Sequence, residues 1–181
     1  DAVVGAKGSP MQLILADVFH IDVPPGNIPL EAVQQLEKDP RVAQLIPISL
    51  GDTFRGFRIV GTTPAYAAHY GVKLAQGAWW SQPMQTVVGA QVAKNTGLAV
   101  GNSFYGSHGL GGTGHIHGDF PYTVTGVLAP CGCVLDRLIL TATESVWQVH
   151  EKATAVDEED RKALEAEREV TLVLIRYRSP L

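Results

Sequence analysis

Three histidines close together are the part of the sequence best suited to chemistry. His108, His115 and His117 lie in a stretch of mostly Gly and His, residues 107–118 (the His loop), and Asp119 comes next. In an extended chain His115 and His117 project to the same face, so both rings can reach one ion. Neutral imidazole suits Zn²⁺, Cu²⁺ or Ni²⁺, and a carboxylate or water completes a tetrahedral zinc site. These four residues predict a divalent transition-metal site; a solvated loop with incidental histidines is the alternative.

Two cysteines one residue apart form a second candidate. Cys131 and Cys133 allow three interpretations: a pair of soft metal ligands, a local disulfide, or two small buried residues in the turn after Pro130. The buried pair is the favoured interpretation. Two cysteines cannot staple a chain of this size, so the core must be stabilised by packing.

Adjacent tryptophans form a third candidate. Trp79 and Trp80 lie between Gly77 and Pro83 in a loop, and an extended segment cannot point both of them inward. At least one exposed indole is therefore expected, and an exposed aromatic is a reasonable contact for a partner or substrate.

Motifs that would define an enzyme are missing from the sequence. Gly109, Gly111 and Gly114 spell a dinucleotide fingerprint, but a polar tract and a proline follow where a helix must begin. No Walker A sequence, Gly-x-Ser-x-Gly elbow or His-Glu-x-x-His motif is present. A zinc hydrolase at the His loop is disfavoured because no general base has a defined spacing from the ligands. The sequence predicts no catalytic residues, no required cofactor and no enzyme.

Composition predicts a folded domain of ordinary character. The 181 residues are 45% apolar and 18% charged with a net charge of −4, and the 14 Lys and Arg are scattered. Scattered basic residues exclude nucleic acid as an expected partner. No apolar run reaches 18 residues, so no transmembrane helix is predicted within the sequence. The chain is long enough for one core or for two small subdomains.

Strands and helices alternate along the chain and predict an α+β fold. Helix signals cover residues 30–38, and β-rich runs at 42–50 and 53–60 are expected to form a hairpin that turns at Gly51-Asp52. The charged run 157–169 contains one large apolar residue, Leu164, and is predicted to be a solvated helix or mobile loop. Further strands are predicted at residues 86–89, 100–105, 122–128, 137–140 and 170–177, with helices at 65–70, 91–96 and 144–151.

Five phrases in this order give the sequence a family resemblance. They are VVGAKGSP at 3–10, VGAQVA at 88–93, GLAVGN at 97–102, YTVTGVL at 122–128 and DRLILT at 136–141. In this order and spacing the sequence resembles the extracytoplasmic domain of MacB-like ABC-transporter permeases, the wider FtsX and LolC/LolE group. The resemblance covers most of the chain except the charged run.

The resemblance implies two subdomains with a mixed sheet and helices. One is built from both chain ends, residues 1–62 and 136–181, and lies near the membrane; a smaller α/β subdomain with the His loop, residues 63–135, is inserted between them. The implied location is the periplasmic side of the bacterial inner membrane. The implied partners are the protein's own transmembrane helices, a cytoplasmic ATPase subunit, and a second permease copy or a periplasmic protein.

The implied function is mechanical and not catalytic. Such a domain couples ATP hydrolysis in the cytoplasm to movement of a substrate or partner protein outside the inner membrane. The alternative function is that of a soluble periplasmic metal-binding or metal-delivery protein that uses the His loop, with zinc or another divalent transition metal as its ligand.

Overall fold

The computed structural model describes residues 2–21, 24–107 and 120–179, and it confirms the α+β class with helices and a mixed sheet. The strands are β1 Ala2–Gly5, β2 Ile28–Pro29, β3 Val42–Phe54, β4 Phe57–Thr62, β5 Leu74–Gly77, β6 Gln85–Val88, β7 Ser103–Phe104, β8 Tyr122–Leu128, β9 Leu138–Ala142, β10 Glu169–Val170 and β11 Leu172–Tyr177. The helices are α1 Pro10–Leu13, continued by a π-helical turn Ile14–Val18, α2 Leu30–Glu37, α3 Pro64–His69, α4 Ala90–Thr96, a 3₁₀ turn Val134–Arg137, α5 Thr143–Thr154 and α6 Glu158–Ala166.

Two compact units share the chain. Unit 1 comprises residues 1–49 and 150–181, and unit 2 comprises residues 50–149. The sequence-based boundaries at 62/63 and 135/136 fall inside unit 2, where β4 and β9 pair in parallel from Arg58 opposite Leu138 to Thr62 opposite Ala142. The inserted unit is therefore longer than the insert expected from the sequence.

Unit 1 is built on a three-stranded antiparallel sheet in the order β1, β11, β3. Ala2 lies opposite Ile175 in β11, and Leu172 of β11 lies opposite Ile48 of β3. β11 is the central strand, and its Leu172, Val173 and Ile175 are buried as the apolar final run predicts. A second, two-stranded sheet pairs β2 with β10, with Val170 opposite Ile28.

Unit 2 is built on a mixed sheet. The end of β3 pairs with β4, and the order continues through β9, β6 and β8, whose other edge carries β7 and β5. β8 alternates strictly between buried and half-buried residues, as the alternating phrase YTVTGVL predicts. Its inward side chains join a core that also includes Ile59, Val88, Val92 and Ile139.

The hairpin turn predicted at Gly51-Asp52 is wrong. Both residues continue β3 as strand, and the chain reverses at Arg55 and Gly56, whose φ angles are 49° and 80°. Two successive residues with positive φ match the right-handed twist of a β-hairpin. Gly51 is closely packed: a Cβ there would make tight contacts, 3.2 Å from Val146 Cγ2 and 3.3 Å from the carbonyl oxygen of Ile59.

The charged run forms the solvated helix that its composition predicts. α6 is exposed at every position except the half-buried Leu164. Asp157 caps its N-terminus by accepting hydrogen bonds from the backbone N–H groups of Glu159 and Asp160, both at 2.9 Å. Acidic residues in the first turn are favourable beside the positive end of the helix dipole.

Candidate functional site

The predicted metal ligands lie outside the described residues, so the metal site stays a prediction. His108, His115, His117 and Asp119 all belong to the segment 108–119, which the structure does not describe. Within residues 2–21, 24–107 and 120–179, no three His, Cys, Asp or Glu side chains are grouped so that they could hold a metal ion.

The start of the His loop is anchored to the end of β3. Ser107 and Thr53 exchange two backbone hydrogen bonds, from Thr53 N to Ser107 O at 2.9 Å and from Ser107 N to Thr53 O at 2.8 Å. Gly106 is buried beside Asp52, and a Cβ at Gly106 would lie 3.0 Å from Asp52 Cβ. A larger residue at position 106 would make tight contacts with the side chains of Asp52 and Ile59.

Stacked aromatic rings support the base of the loop. Phe104 packs on Phe54 at 4.7 Å between ring centroids and stacks on Tyr122 at 5.4 Å with an interplanar angle of 18°. Burial, and to a smaller extent the carboxylate of Asp52, raises the pKa of Tyr122 well above its ordinary value. Tyr122 therefore stays a neutral phenol at physiological pH.

The two tryptophans after β5 are both half-buried. Trp79 and Trp80 pack edge to face, with ring centroids 5.5 Å apart and an interplanar angle of 89°. The preceding Ala78 donates a hydrogen bond from its backbone N–H to the carbonyl of Thr125 at 2.9 Å, which fixes the loop against β8. Each indole thus keeps part of its surface available, and their role as a contact remains a prediction.

The cysteine pair forms a disulfide, so the favoured interpretation as two buried residues is wrong. Cys131 and Cys133 are bonded with 5.1 Å between their Cα atoms, Cys131 is exposed and Cys133 is half-buried. Because the turn between β8 and β9 runs over the surface, nothing covers the first cysteine. The carboxylate of Asp136 accepts hydrogen bonds from the backbone N–H groups of Cys131 at 3.0 Å and Gly132 at 2.8 Å.

The segments VGAQVA and GLAVGN form the strand–helix–strand element that their glycines predict, but its second strand is only Ser103–Phe104 and begins after Gly101 instead of at it. Gly89 ends β6 and precedes α4, and a Cβ on Gly89 would lie 2.1 Å from the carbonyl oxygen of Leu135. Gly97 ends α4 in the left-handed conformation with φ 76°, and Gly101 donates its backbone N–H to Val124 O at 2.8 Å. These glycines serve packing and chain reversal, with no reactive group among them.

One buried ion pair in unit 1 was missed by the sequence analysis. Arg168 donates from Nε to Glu151 Oε1 at 2.6 Å and from Nη2 to Glu151 Oε2 at 3.0 Å, and its backbone carbonyl accepts from Leu30 N at 3.0 Å. This two-bond ion pair joins the end of α5 to the segment that enters β10. Its only sequence signal is an arginine at the end of an acidic run.

None of the helices within the described ranges combines the length and apolar character needed to cross a bilayer. The described residues form two compact units in an α+β arrangement.

The family described as MacB-like periplasmic core domain matches residues 3–178. The chain therefore belongs to the MacB-like periplasmic core domain family, as the resemblance predicts. No curated protein matches the sequence.

Three solved structures share the fold at low sequence identity. The periplasmic region of MacB from Actinobacillus actinomycetemcomitans is 12% identical with a TM-score of 0.63, covering 99% of this chain and 74% of that one. The extracellular domain of the noncanonic ABC-type transporter YknZ from Gram-positive bacteria is 12% identical with a TM-score of 0.56, covering 98% and 82%. A domain of a putative permease protein from Porphyromonas gingivalis is 18% identical with a TM-score of 0.52, covering 87% and 64%.

Proposed function

We propose that this chain is the extracytoplasmic domain of an ABC-transporter permease and works mechanically, without covalent catalysis. It passes the work of ATP hydrolysis in the cytoplasm to a substrate or partner protein outside the inner membrane. The observation that carries this proposal is the family match over residues 3–178. The similar domains come from MacB and from the ABC-type transporter YknZ, which supports the same role here.

The strand register of unit 1 suits a domain carried on two membrane helices. β1 and β11 are antiparallel neighbours, with Ala2 opposite Ile175 and Gly5 opposite Leu172. A segment that precedes β1 and one that follows β11 would therefore leave the sheet at the same end. A displacement of either membrane segment would reach the sheet through the backbone hydrogen bonds between these two strands.

The proposed partners are the protein's own transmembrane helices and a cytoplasmic ATPase subunit, with a second permease copy or a periplasmic protein on the outer side. Trp79 and Trp80 are the proposed contact with the partner or substrate. Half-buried indoles fixed by a neighbouring backbone hydrogen bond offer apolar area at low entropic cost.

The test uses the natural full-length permease, with its ATPase, in membrane vesicles of known orientation. A membrane-impermeant maleimide should label a single cysteine placed at exposed Glu159 of α6 only from the periplasmic side. ATP-dependent movement of the transported molecule should be lost in the Trp79→Ala/Trp80→Ala variant while ATPase activity and expression remain. Labelling from the cytoplasmic side, or turnover of a substrate by the domain alone, would contradict the proposal.

The metal-binding alternative rests on the His loop alone. If His108, His115 and His117 hold zinc or another divalent transition metal, the domain also senses or delivers that metal, and direct titration decides the point. No metal is needed for the mechanical role.

A further inference from the structure

The turn between β8 and β9 carries a chemical group that the mechanical role does not use. Cys131, Gly132 and Cys133 form the CxC turn, whose disulfide spans a single intervening residue. Cys131 is exposed and Cys133 is half-buried, so Cys131 is the residue more accessible to a thiol in solution. A disulfide in this position is open to exchange, unlike one enclosed in a core.

The CxC turn is held in place by bonds that do not depend on the disulfide. The two carboxylate oxygens of Asp136 accept separately from the backbone N–H groups of Cys131 and Gly132, at 3.0 and 2.8 Å. Gly132 has φ 64°, a conformation that glycine adopts without cost. After reduction the same bonds keep the two cysteines near each other, so the disulfide can form again without a large rearrangement of the backbone.

The disulfide contributes little to the stability of the fold. The stabilisation that a disulfide gives through the unfolded chain grows with the length of the loop it closes, and this loop is among the shortest possible. Stability of unit 2 comes instead from its apolar core, which includes Ile59, Val88, Tyr122 and Ile139. The bond can therefore open and close while the domain remains folded.

We propose that the CxC turn is a thiol–disulfide exchange site whose co-substrate is the dithiol of another protein. A thiolate of the partner attacks Cys131 Sγ, which forms a mixed disulfide and releases Cys133 as a thiolate. The partner's second thiolate then attacks the partner's first sulfur, which is bonded to Cys131 in the mixed disulfide. This attack closes the partner's disulfide and releases Cys131 as a thiolate. Two electrons pass from the partner to the CxC turn; the partner gains a disulfide and gives up two protons, and the two cysteines take up two.

Asp136 sets the rate of this exchange. Its Oδ1 lies 3.4 Å from Cys131 Sγ, so its negative charge opposes an incoming thiolate. In the reduced turn the same oxygen can accept a hydrogen bond from the Cys131 thiol. Asp136→Asn removes the charge and keeps one of the two acceptor oxygens, so one of the two backbone hydrogen bonds is lost. Removal of the charge should speed attack by anionic thiols about fivefold at low salt. The gain should shrink towards 1 M salt, whereas a purely structural effect of the substitution would not.

The first experiment treats the folded 181-residue domain with millimolar dithiothreitol, without denaturant, and counts maleimide labels by mass spectrometry. We expect two labels, a melting temperature within about 6 °C of the oxidised protein, and return to no labels after transfer to glutathione disulfide. The Cys131→Ser/Cys133→Ser variant is the control and should melt like the reduced protein. Resistance to dithiothreitol until denaturant is added, or unfolding on reduction, would overturn the proposal.

The second experiment assigns the attacked sulfur and the protein co-substrate. After brief treatment of the oxidised protein with reduced glutathione and rapid alkylation, peptide mapping should find glutathione attached to Cys131. Glutathione attached to Cys133, or equally to both cysteines, would overturn the assignment of Cys131. Reduced thioredoxin, used as a model protein dithiol, should reduce the wild-type turn in native buffer and become oxidised in equal amount. Failure of that transfer while dithiothreitol succeeds would overturn the protein-dithiol part of the proposal.

Discussion

Removing the arginine of the buried ion pair should destabilise unit 1 far more than removing an exposed one. Arg168→Ala leaves the Glu151 side chain, only 8% exposed, without the guanidinium that donates to both of its oxygens. Breaking a fully buried pair from one side costs about 3–5 kcal/mol. Arg168 itself is 28% exposed, so water replaces part of what is lost. We expect a loss of about 2–3 kcal/mol in the free energy of unfolding.

Thermal and urea unfolding of the chain measure this loss. In a chain of this length, about 2–3 kcal/mol lowers the melting temperature by about 5–10 °C. Arg161→Ala is the matched control, because Arg161 pairs with Glu158 and Glu165 on α6 with 48% of its side chain exposed. Exposed pairs of this kind contribute about 0–1 kcal/mol, so the control should barely shift the midpoint.

Two further outcomes test the cause. The variant Glu151→Leu/Arg168→Leu should recover much of the stability lost in Arg168→Ala, because no uncompensated charge stays buried. High salt should weaken the Arg161 pair and leave the Arg168 pair nearly unchanged. If Arg168→Ala and Arg161→Ala shift the melting temperature equally, the Glu151 carboxylate is hydrated without its partner and the reasoning is refuted.

Three other predictions follow from single sites. Gly89→Ala should lower the free energy of unfolding by at least about 3 kcal/mol or prevent folding, because its Cβ would lie 2.1 Å from Leu135 O. Gly97→Ala is the control: Gly97 has φ 76° and open space around it, so this substitution should cost only about 1 kcal/mol in a urea titration. Hydrogen bonds from the side chain and backbone of Arg41 lower the pKa of Asp39 to about 2. Asp39 therefore adds stability above its unfolded pKa of about 4, and that stability is lost as pH falls towards 2. Asp39→Asn should make the free energy of unfolding less dependent on pH in this acid range. An unchanged dependence on pH would contradict this. Calorimetry should show Zn²⁺ binding that weakens below about pH 6.5. The binding should disappear in the His115→Ala/His117→Ala variant. An affinity no better than millimolar would contradict the metal site.

Strands with strong local patterns could be predicted from the sequence. β8 occupies Tyr122–Leu128 as predicted, because its alternation of apolar and polar residues matches a strand with one face in the core. α2 ends within one residue of its predicted end, because Pro40 disfavours the helical conformation at Asp39. In both cases the deciding information lies within a few neighbouring residues.

The first hairpin shows where local information fails. Gly51-Asp52 and Arg55-Gly56 are both plausible turns by residue type, and Gly-Asp is a common turn sequence. In the fold, Gly51 lies against Val146 of α5, and a Cβ at Gly51 would make a tight contact of 3.2 Å with Val146 Cγ2. Gly51, the glycine of the turn that does not form, packs against a helix that lies almost a hundred residues later in the chain. A pattern confined to ten residues carries no trace of this contact.

The charged run shows the same limit for burial. From composition, every charge between residues 157 and 169 is expected in solvent, and α6 agrees at each charged position. Arg168 departs from this because Glu151, 17 residues earlier at the end of α5, is buried and takes both of its donors. A charge is buried when its partner is, and such pairing follows no periodicity along the chain. For the same reason, substitution of Arg168 should lower the stability of unit 1, whereas substitutions on the exposed helix α6 should have little effect on it.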